Sequence, residues 1–175
     1  MTDDPTLRET RPGDLPDILD LYPEVFPEED LVPLVRDLMT GDRDVLSLAA
    51  FDGDAPAGHA LFTIFGTPAK RRAGALLGPL GVSPRFQRLG LGGALVRAGF
   101  DRLREDGIDH VMVLGDPGYY RRFDFEPERR VATPFPIPDA WAEAWQSVPL
   151  SADAPPLEGP ISLPDPWMRP ELWAP

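Results

Sequence analysis

One stretch of this sequence, LGPLGVSPRFQRLGLGGALVRAG from Leu77 to Gly99, narrows the possible folds more than any other. The pattern predicts a strand that runs through a glycine-rich turn directly into a long helix. Gly90, Gly92 and Gly93 leave the backbone uncovered where that helix begins. Uncovered N–H groups at the positive end of a helix dipole form an anion site, so the turn predicts a bound phosphate.

The residues around these glycines distinguish between the known kinds of phosphate-binding turn. A P-loop needs a lysine after its last glycine, and none follows here. A dinucleotide-binding fingerprint needs a third glycine where Leu95 stands, although Asp116 is placed where such a protein contacts the ribose. The third pattern, Q-x-x-G-x-G, matches Gln87 to Gly92. Arg85 and Arg88 flank the glycines of the turn as candidate phosphate ligands. A tight turn without any ligand is the remaining alternative.

Strand and helix patterns alternate along the chain before Pro134. The turn Asp52-Gly53-Asp54 between two apolar runs predicts a hairpin. Asp14 is the predicted N-cap of the first helix, Pro23 is expected to end or kink it, and Gly107 is placed to cap the last. The predicted strands are Thr6–Thr10, Val45–Phe51, Gly58–Phe65, Ala73–Val82 and His110–Leu114, and the helices begin near Asp14, Glu28 and Gly90. This order predicts an α/β fold with mixed pairing in a single central sheet and helices on its faces.

A second motif follows the strand after the long helix, in the segment LGDPGYYRRFDFEP. Tyr120 to Phe125 fits the pattern Y-x-x-x-G-F except at Asp124, and aspartate tolerates left-handed backbone angles better than most residues. The two motifs, in this order and at this separation, resemble those of the GNAT superfamily of N-acetyltransferases. The likeness is to a bacterial branch with the signature LGDPxYYxRFGFEP, and it extends over about Leu46 to Pro127.

The resemblance implies an acyl-CoA N-acyltransferase fold with a mostly antiparallel sheet, and acetyl-CoA as co-substrate. It implies that backbone N–H groups of the turn bind the CoA pyrophosphate, and that the end of the preceding strand supplies a main-chain donor to the developing oxyanion. Tyr120 stands at the family's position for the proton donor to the departing thiolate, or else only packs over the CoA arm. The cofactor-binding residues implied are Leu80, Gly81, Val82, Gln87, Arg88, Leu89, Gly90, Leu91, Gly92 and Gly93.

The general base is not evident, because the predicted strand Ala73–Val82 contains no ionisable residue. His59, inside a strand, is expected to be a satisfied or exposed strand histidine. The acidic run Glu28-Glu29-Asp30 is expected to be a solvated helix start, with attraction of a cationic amine as the alternative. The candidates are Glu24, Glu28, Glu29, His59, Ser83 and Asp116.

Composition and charge exclude several other classes of protein. The chain has 175 residues and a net charge of −12, which argues against binding to nucleic acid or to an anionic membrane. It has no cysteine, so thiol catalysis, zinc–thiolate sites and disulfides are excluded, and its two histidines are too few for a multi-histidine metal site. No apolar stretch approaches 18 residues and the N-terminus lacks a basic and apolar leader, so we expect a cytoplasmic location.

The segment from Pro134 onward differs from the rest of the chain. It holds 11 of the 23 prolines, which disfavour long regular elements. It also holds all the tryptophans, namely Trp141, Trp145, Trp167 and Trp173, and disordered tails are poor in aromatic residues. We therefore expect one domain over residues 1–175, with residues 134–175 as an extended wrap, and a homodimer as a further possibility.

The resemblance implies an N-acetyltransferase that moves an acetyl group from acetyl-CoA to a primary amine, expected to belong to a small molecule. A non-catalytic acyl-CoA-binding or sensing module is the nearest alternative, favoured by the missing strand carboxylate. A nucleotide-binding protein built on the glycine turn is the alternative from another class.

Overall fold

Strands and helices alternate along this protein, whose computed structural model describes residues 4–174. The strands are β1 (Thr6–Glu9), β2 (Val45–Asp52), β3 (Ala55–Phe65), β4 (Gly74–Val82), β5 (His110–Leu114), β6 (Glu126–Pro127) and β7 (Trp145–Pro149). The α-helices are α1 (Leu15–Val25), α2 (Val32–Met39), α3 (Leu91–Glu105) and α4 (Pro117–Tyr120). Residues 1–3 and 175, the ends of the predicted domain, lie outside the described residues.

The strands form one seven-stranded sheet in the order β1-β2-β3-β4-β5-β7-β6. β4 runs parallel to β5, with Gly74–Leu77 opposite His110–Val113. The pairs β1–β2, β5–β7 and β6–β7 are antiparallel. The predicted α/β class with mixed strand pairing is therefore confirmed.

The chain divides into two compact units, and each is described by itself. The first comprises Met1–Phe62 and Gly78–Asp101, and the second comprises Thr63–Leu77 and Arg102–Pro175. In the first unit, α2 buries an apolar stripe formed by Leu34, Val35 and Leu38. α1 likewise buries one face.

Asp14 and Pro23 lie near the two ends of α1. Asp14 occupies the N-cap position, but its side chain does not cap the helix. Its carboxylate instead accepts hydrogen bonds from the Arg8 guanidinium at 2.8 and 3.0 Å and from the Arg11 N–H at 2.7 Å. Pro23, expected to end or kink the helix, lies inside it shortly before its end at Val25. A proline so close to the end removes few backbone hydrogen bonds, and the helix therefore completes its last turn.

α3 packs tightly along β3 within the first unit. Leu95, Val96 and Gly99 are buried on the inner face of this helix. A Cβ atom at Gly99 would overlap the ring of Phe62, so this close approach of helix and strand depends on glycine. In the second unit, Gly107 follows the helix with a φ of 77°, which confirms it as the predicted C-terminal cap.

The tail supplies a strand of the second unit. β7 pairs with β5 along its full length, from His110 opposite Pro149 to Leu114 opposite Trp145. Trp145, Trp167 and Trp173 are buried, and Trp145 and Trp173 form an edge-to-face pair at 5.8 Å between ring centroids. The tail is therefore a packed part of the second unit. It contributes the five-residue strand β7 to the sheet.

Candidate functional site

The turn between β4 and α3 is fixed at its base by three hydrogen bonds. The Ser83 N–H donates to the Ala57 carbonyl at 2.8 Å, and the Ser83 carbonyl accepts from the Phe86 N–H at 2.8 Å. The side-chain amide of Gln87 donates to the Val82 carbonyl at 3.0 Å. The side chain of Gln87, one of the residues that the resemblance implies for cofactor binding, therefore anchors the turn.

Two residues of the turn adopt left-handed backbone angles. Gly90 has a φ of 83° and Arg88 a φ of 64°. Glycine adopts such angles freely, whereas a residue with a Cβ atom does so rarely and at a cost, often at a functional site. The side chains of the turn point outward, and Leu89 is 74% exposed. The positive φ angles of these two residues thus distinguish the turn from the strand and the helix that it joins.

The N–H groups of residues 87–93 form a row of unused donors. The first backbone donor after the turn with an acceptor is the Ala94 N–H, which bonds to the Gly90 carbonyl at 3.0 Å. Within residues 4–174, none of the seven preceding N–H groups has an acceptor at hydrogen-bonding distance and angle. α3 begins at Leu91, so the positive end of its dipole adds to this row. The arrangement is suited to an anion with several oxygen atoms.

The end of β4, which leads into the turn, is covered by the last turn of α1. Gly81 is buried, while Leu80 and Val82 on the opposite strand face are half-buried. A Cβ atom at Gly81 would lie 3.1 Å from side-chain atoms of both Val25 and Phe26. The glycine therefore lets the helix approach the strand backbone closely.

Two of the candidate bases meet at this point. The Ser83 hydroxyl donates to Glu24 Oε1 at 2.9 Å, although the residues are 59 positions apart in the sequence. Ser83 is 6% exposed and Glu24 is exposed. Glu28 and Glu29 are also exposed, in the connection from α1 to α2. The structure thus brings Glu24, and no other acidic candidate, into a hydrogen bond with Ser83.

His59 is a buried and fully hydrogen-bonded residue of β3. Its Nδ1 lies 2.6 Å from the Tyr22 hydroxyl and its Nε2 lies 2.8 Å from Ser47 Oγ, which also accepts a hydrogen bond from Thr10 at 2.8 Å. Burial lowers the pKa of His59 to about 3 and raises that of Tyr22. The expectation of a satisfied strand histidine is confirmed.

The second motif lies in the second unit and is built around α4. The Asp116 carboxylate accepts a hydrogen bond from the Gly118 N–H at 2.9 Å and so caps α4. Asp124 has a φ of 67°, the left-handed conformation expected at the position where the motif usually has glycine. The substitution of aspartate for glycine therefore leaves the turn intact.

Tyr120 ends α4 inside an aromatic cluster. Its ring packs edge-to-face on Tyr119 and Phe125, at 5.0 and 5.5 Å between centroids. A Cβ atom at Gly115 would overlap the ring, so this glycine makes room for it. Burial, with smaller contributions from Tyr119 and Asp116, raises the pKa of Tyr120 above its ordinary value.

The Tyr120 hydroxyl makes no hydrogen bond to any residue from 4 to 174. No buried polar side-chain atom in this part of the chain lacks a partner, so the hydroxyl is reached by solvent. It is therefore a protonated donor that is available to a ligand.

Two kinds of feature are absent from residues 4–174. No helix there is both long and apolar enough to span a membrane. No group of three or more His, Cys, Asp or Glu side chains is arranged there to hold a metal ion.

Comparison with known sequences gives one family and two close relatives. The sequence profile of the Acetyltransferase (GNAT) family matches residues 15–125. The uncharacterized N-acetyltransferase YjhQ of Escherichia coli K12 is 35% identical over 169 residues, which cover 92% of this chain and 93% of that protein. The uncharacterized N-acetyltransferase YhbS of the same organism is 33% identical over 116 residues, which cover 66% of this chain and 70% of that protein.

Solved structures show the same fold. The crystal structure of YhbS from Escherichia coli in complex with CoA has a TM-score of 0.83 at 28% identity, over 97% of this chain and 96% of that chain. A GNAT family acetyltransferase from Brucella melitensis in complex with acetyl-CoA has a TM-score of 0.74 at 26% identity, over 93% and 97%. The fold expected from the two sequence motifs is confirmed.

Proposed function

Because this chain belongs to the GNAT family of acetyltransferases and is an N-acetyltransferase, we propose that it moves the acetyl group of acetyl-CoA directly to a primary amine of a small molecule. Acetyl-CoA is its co-substrate, in keeping with the CoA and acetyl-CoA complexes of the two similar structures. The observation that carries the proposal is the row of unused N–H donors at residues 87–93.

The residues of the turn fit the CoA pyrophosphate. A pyrophosphate presents several anionic oxygen atoms, and the seven donors lie together at the positive end of α3. Within residues 4–174 no carboxylate occupies these donors. We assign pyrophosphate binding to the backbone from Gln87 to Gly93, with Arg85 and Arg88 as flanking cations.

The reaction needs two further groups besides the anchor. A main-chain N–H among Leu80, Gly81 and Val82 is assigned to the oxyanion that develops on the thioester carbonyl. Tyr120 is assigned to protonate the departing thiolate, because its hydroxyl is protonated and has no intramolecular partner. Both assignments follow the family resemblance of the two motifs.

The charge of the chain supports a cationic acceptor. The excess of acidic residues gives a net charge of −12, which favours a cationic acceptor over an acidic one. The single domain over residues 1–175, the cytoplasmic location and the homodimer stay predictions.

The pyrophosphate assignment is tested by Gly92→Val. A valine side chain at the second position of α3 should cover the donor row, so the dissociation constant for acetyl-CoA should rise at least about tenfold. Isothermal titration calorimetry with acetyl-CoA, CoA, NAD and ATP measures this and identifies the preferred ligand. Gly13→Val is the matched control, because a Cβ atom there meets nothing within 4 Å. Wild-type affinity in a folded Gly92→Val protein would remove the assignment, and preference for NAD or ATP would replace acetyl-CoA.

A further inference from the structure

The hydrogen bond between Ser83 and Glu24 indicates how the acceptor is recognised. We propose that Glu24 binds the ammonium group of a cationic aliphatic primary amine and takes the first proton that the amine gives up. The inference rests on the proposed function and deepens it, since it names the substrate class and the proton acceptor. Three observations support it: the position of Glu24, the absence of an ion pair to its carboxylate within residues 4–174, and the hydrogen bond that the carboxylate accepts from Ser83.

The position of Glu24 is close to the strand end assigned to the oxyanion. Glu24 lies in the last turn of α1, directly before Val25, which packs on Gly81 of β4. Its hydrogen-bond partner Ser83 follows directly after Val82, the last residue of the same strand. An amine bound to Glu24 is therefore held near the backbone to which the reacting carbonyl is assigned.

The charge of Glu24 is not neutralised by the protein. Asp14 is paired with Arg8, Asp109 with Lys70 and Glu143 with Arg129. In contrast, Glu24 makes no ion pair with any residue from 4 to 174, and its Oε2 accepts no hydrogen bond from them. A carboxylate with one oxygen held and the other free is suited to bind a cation from solution.

The support for Glu24 comes from a residue whose own position is fixed. Ser83 is 6% exposed, and both its N–H and its carbonyl are hydrogen-bonded, to Ala57 and Phe86. The hydroxyl that donates to Glu24 therefore starts from a rigid backbone. Ser83 is a positioning residue, because it acts on the substrate through the Glu24 carboxylate.

The proton balance of the step is as follows. The ammonium nitrogen has three protons and the amide product has one. Glu24 takes the first proton and releases it to solvent, which leaves a neutral amine whose lone pair forms the C–N bond. The C–S bond breaks with its electron pair on sulfur, which takes a proton from Tyr120. The second proton of the nitrogen then restores the Tyr120 hydroxyl through solvent, so one proton is released per turnover.

The test compares Glu24→Gln with a matched control on the same helix. Glutamine keeps the shape and the ability to accept from Ser83 but removes the charge. Asp20→Asn makes the same chemical change four residues earlier, at an exposed position of α1. Release of CoA thiol is measured with butylamine, 1,4-diaminobutane and lysine methyl ester, and acetyl-CoA binding is measured separately by calorimetry.

We expect Glu24→Gln to lower kcat/KM for the amine at least about tenfold, with unchanged acetyl-CoA affinity, and Asp20→Asn to match the wild type. Ser83→Ala should raise KM for the amine more than it lowers kcat, and Ser83→Thr, which keeps the hydroxyl, should restore it. Undiminished turnover in Glu24→Gln would overturn the proposal. A wild-type protein that binds acetyl-CoA but acetylates none of the three amines would overturn the substrate class, while failure to bind acetyl-CoA would overturn the proposed function itself.

Discussion

Replacing Tyr120 by phenylalanine removes one hydroxyl and leaves the aromatic cluster in place. Because the ring keeps its contacts with Tyr119 and Phe125, and because the hydroxyl has no partner within residues 4–174, we expect little change in the free energy of unfolding. Acetyl-CoA affinity should also be preserved. Any loss of activity is then a loss of proton donation.

The size of that loss follows from the environment of the phenol. General acids contribute roughly a hundredfold or more when their pKa is close to that of the leaving group. A thiol has a pKa of about 8.5 and a free phenol about 10, and burial raises the pKa of Tyr120 further, so it is a weaker acid than a free phenol. We therefore expect kcat to fall by roughly tenfold to a hundredfold, or about 1.4 to 2.7 kcal/mol in activation free energy.

The raised pKa of Tyr120 also determines how the effect of the Tyr120→Phe change depends on pH. A tyrosine whose pKa is raised stays protonated up to a pH above its ordinary value of 10.0. The ratio of wild-type to Tyr120→Phe rates should therefore be constant from about pH 6 to pH 10. The measurement is single-turnover release of CoA thiol across that range, with calorimetry for acetyl-CoA binding.

Tyr119→Phe is the matched control for Tyr120→Phe. Tyr119 is the adjacent tyrosine, and Arg122 stacks on its ring, with the guanidinium carbon 4.3 Å from the ring centroid. Its ring contacts survive the change, and its rate should remain near that of the wild type. Full activity of Tyr120→Phe would show that Tyr120 only forms a wall of the site. A large loss of acetyl-CoA binding would mean that the hydroxyl anchors the co-substrate and that the acid lies elsewhere.

Two further predictions concern stability. Trp173→Ala should lower the free energy of unfolding by about 3–5 kcal/mol in a urea titration, because the side chain is 1% exposed and its indole N–H donates to the Trp167 carbonyl at 2.9 Å; a loss below 1 kcal/mol would show that the tail packs loosely. Asp14→Asn should be less stable than the wild type above about pH 4, because hydrogen bonds from Arg8 lower the pKa of Asp14 from 3.8 to about 2. The difference should disappear as the pH falls to about 2, and a difference that persists there would have another origin.

The sequence alone determined the features that depend on neighbouring residues. The strand, turn and helix around Gly90 were predicted because backbone preferences and apolar spacing are local properties. The cap at Gly107 was predicted for the same reason, and the left-handed conformation of Asp124 was expected because the family motif usually has glycine there. Asp14 also stands at the predicted N-cap position of α1. Its carboxylate, however, bonds to the guanidinium of Arg8 in another element and not to the helix end, which the local pattern did not predict.

Tertiary structure alone decided the features that join distant parts of the chain. The strand Trp145–Pro149 lies in a proline-rich segment whose composition favours irregular structure, and it becomes regular because β5 offers an unpaired edge. The hydrogen bond between Glu24 and Ser83 joins a helix end to a strand end, and no local pattern in either segment encodes it. The sequence named both residues as separate candidates for the base. Only the packing of α1 on β4 at Gly81 brings them together, because a contact between distant residues depends on the whole fold.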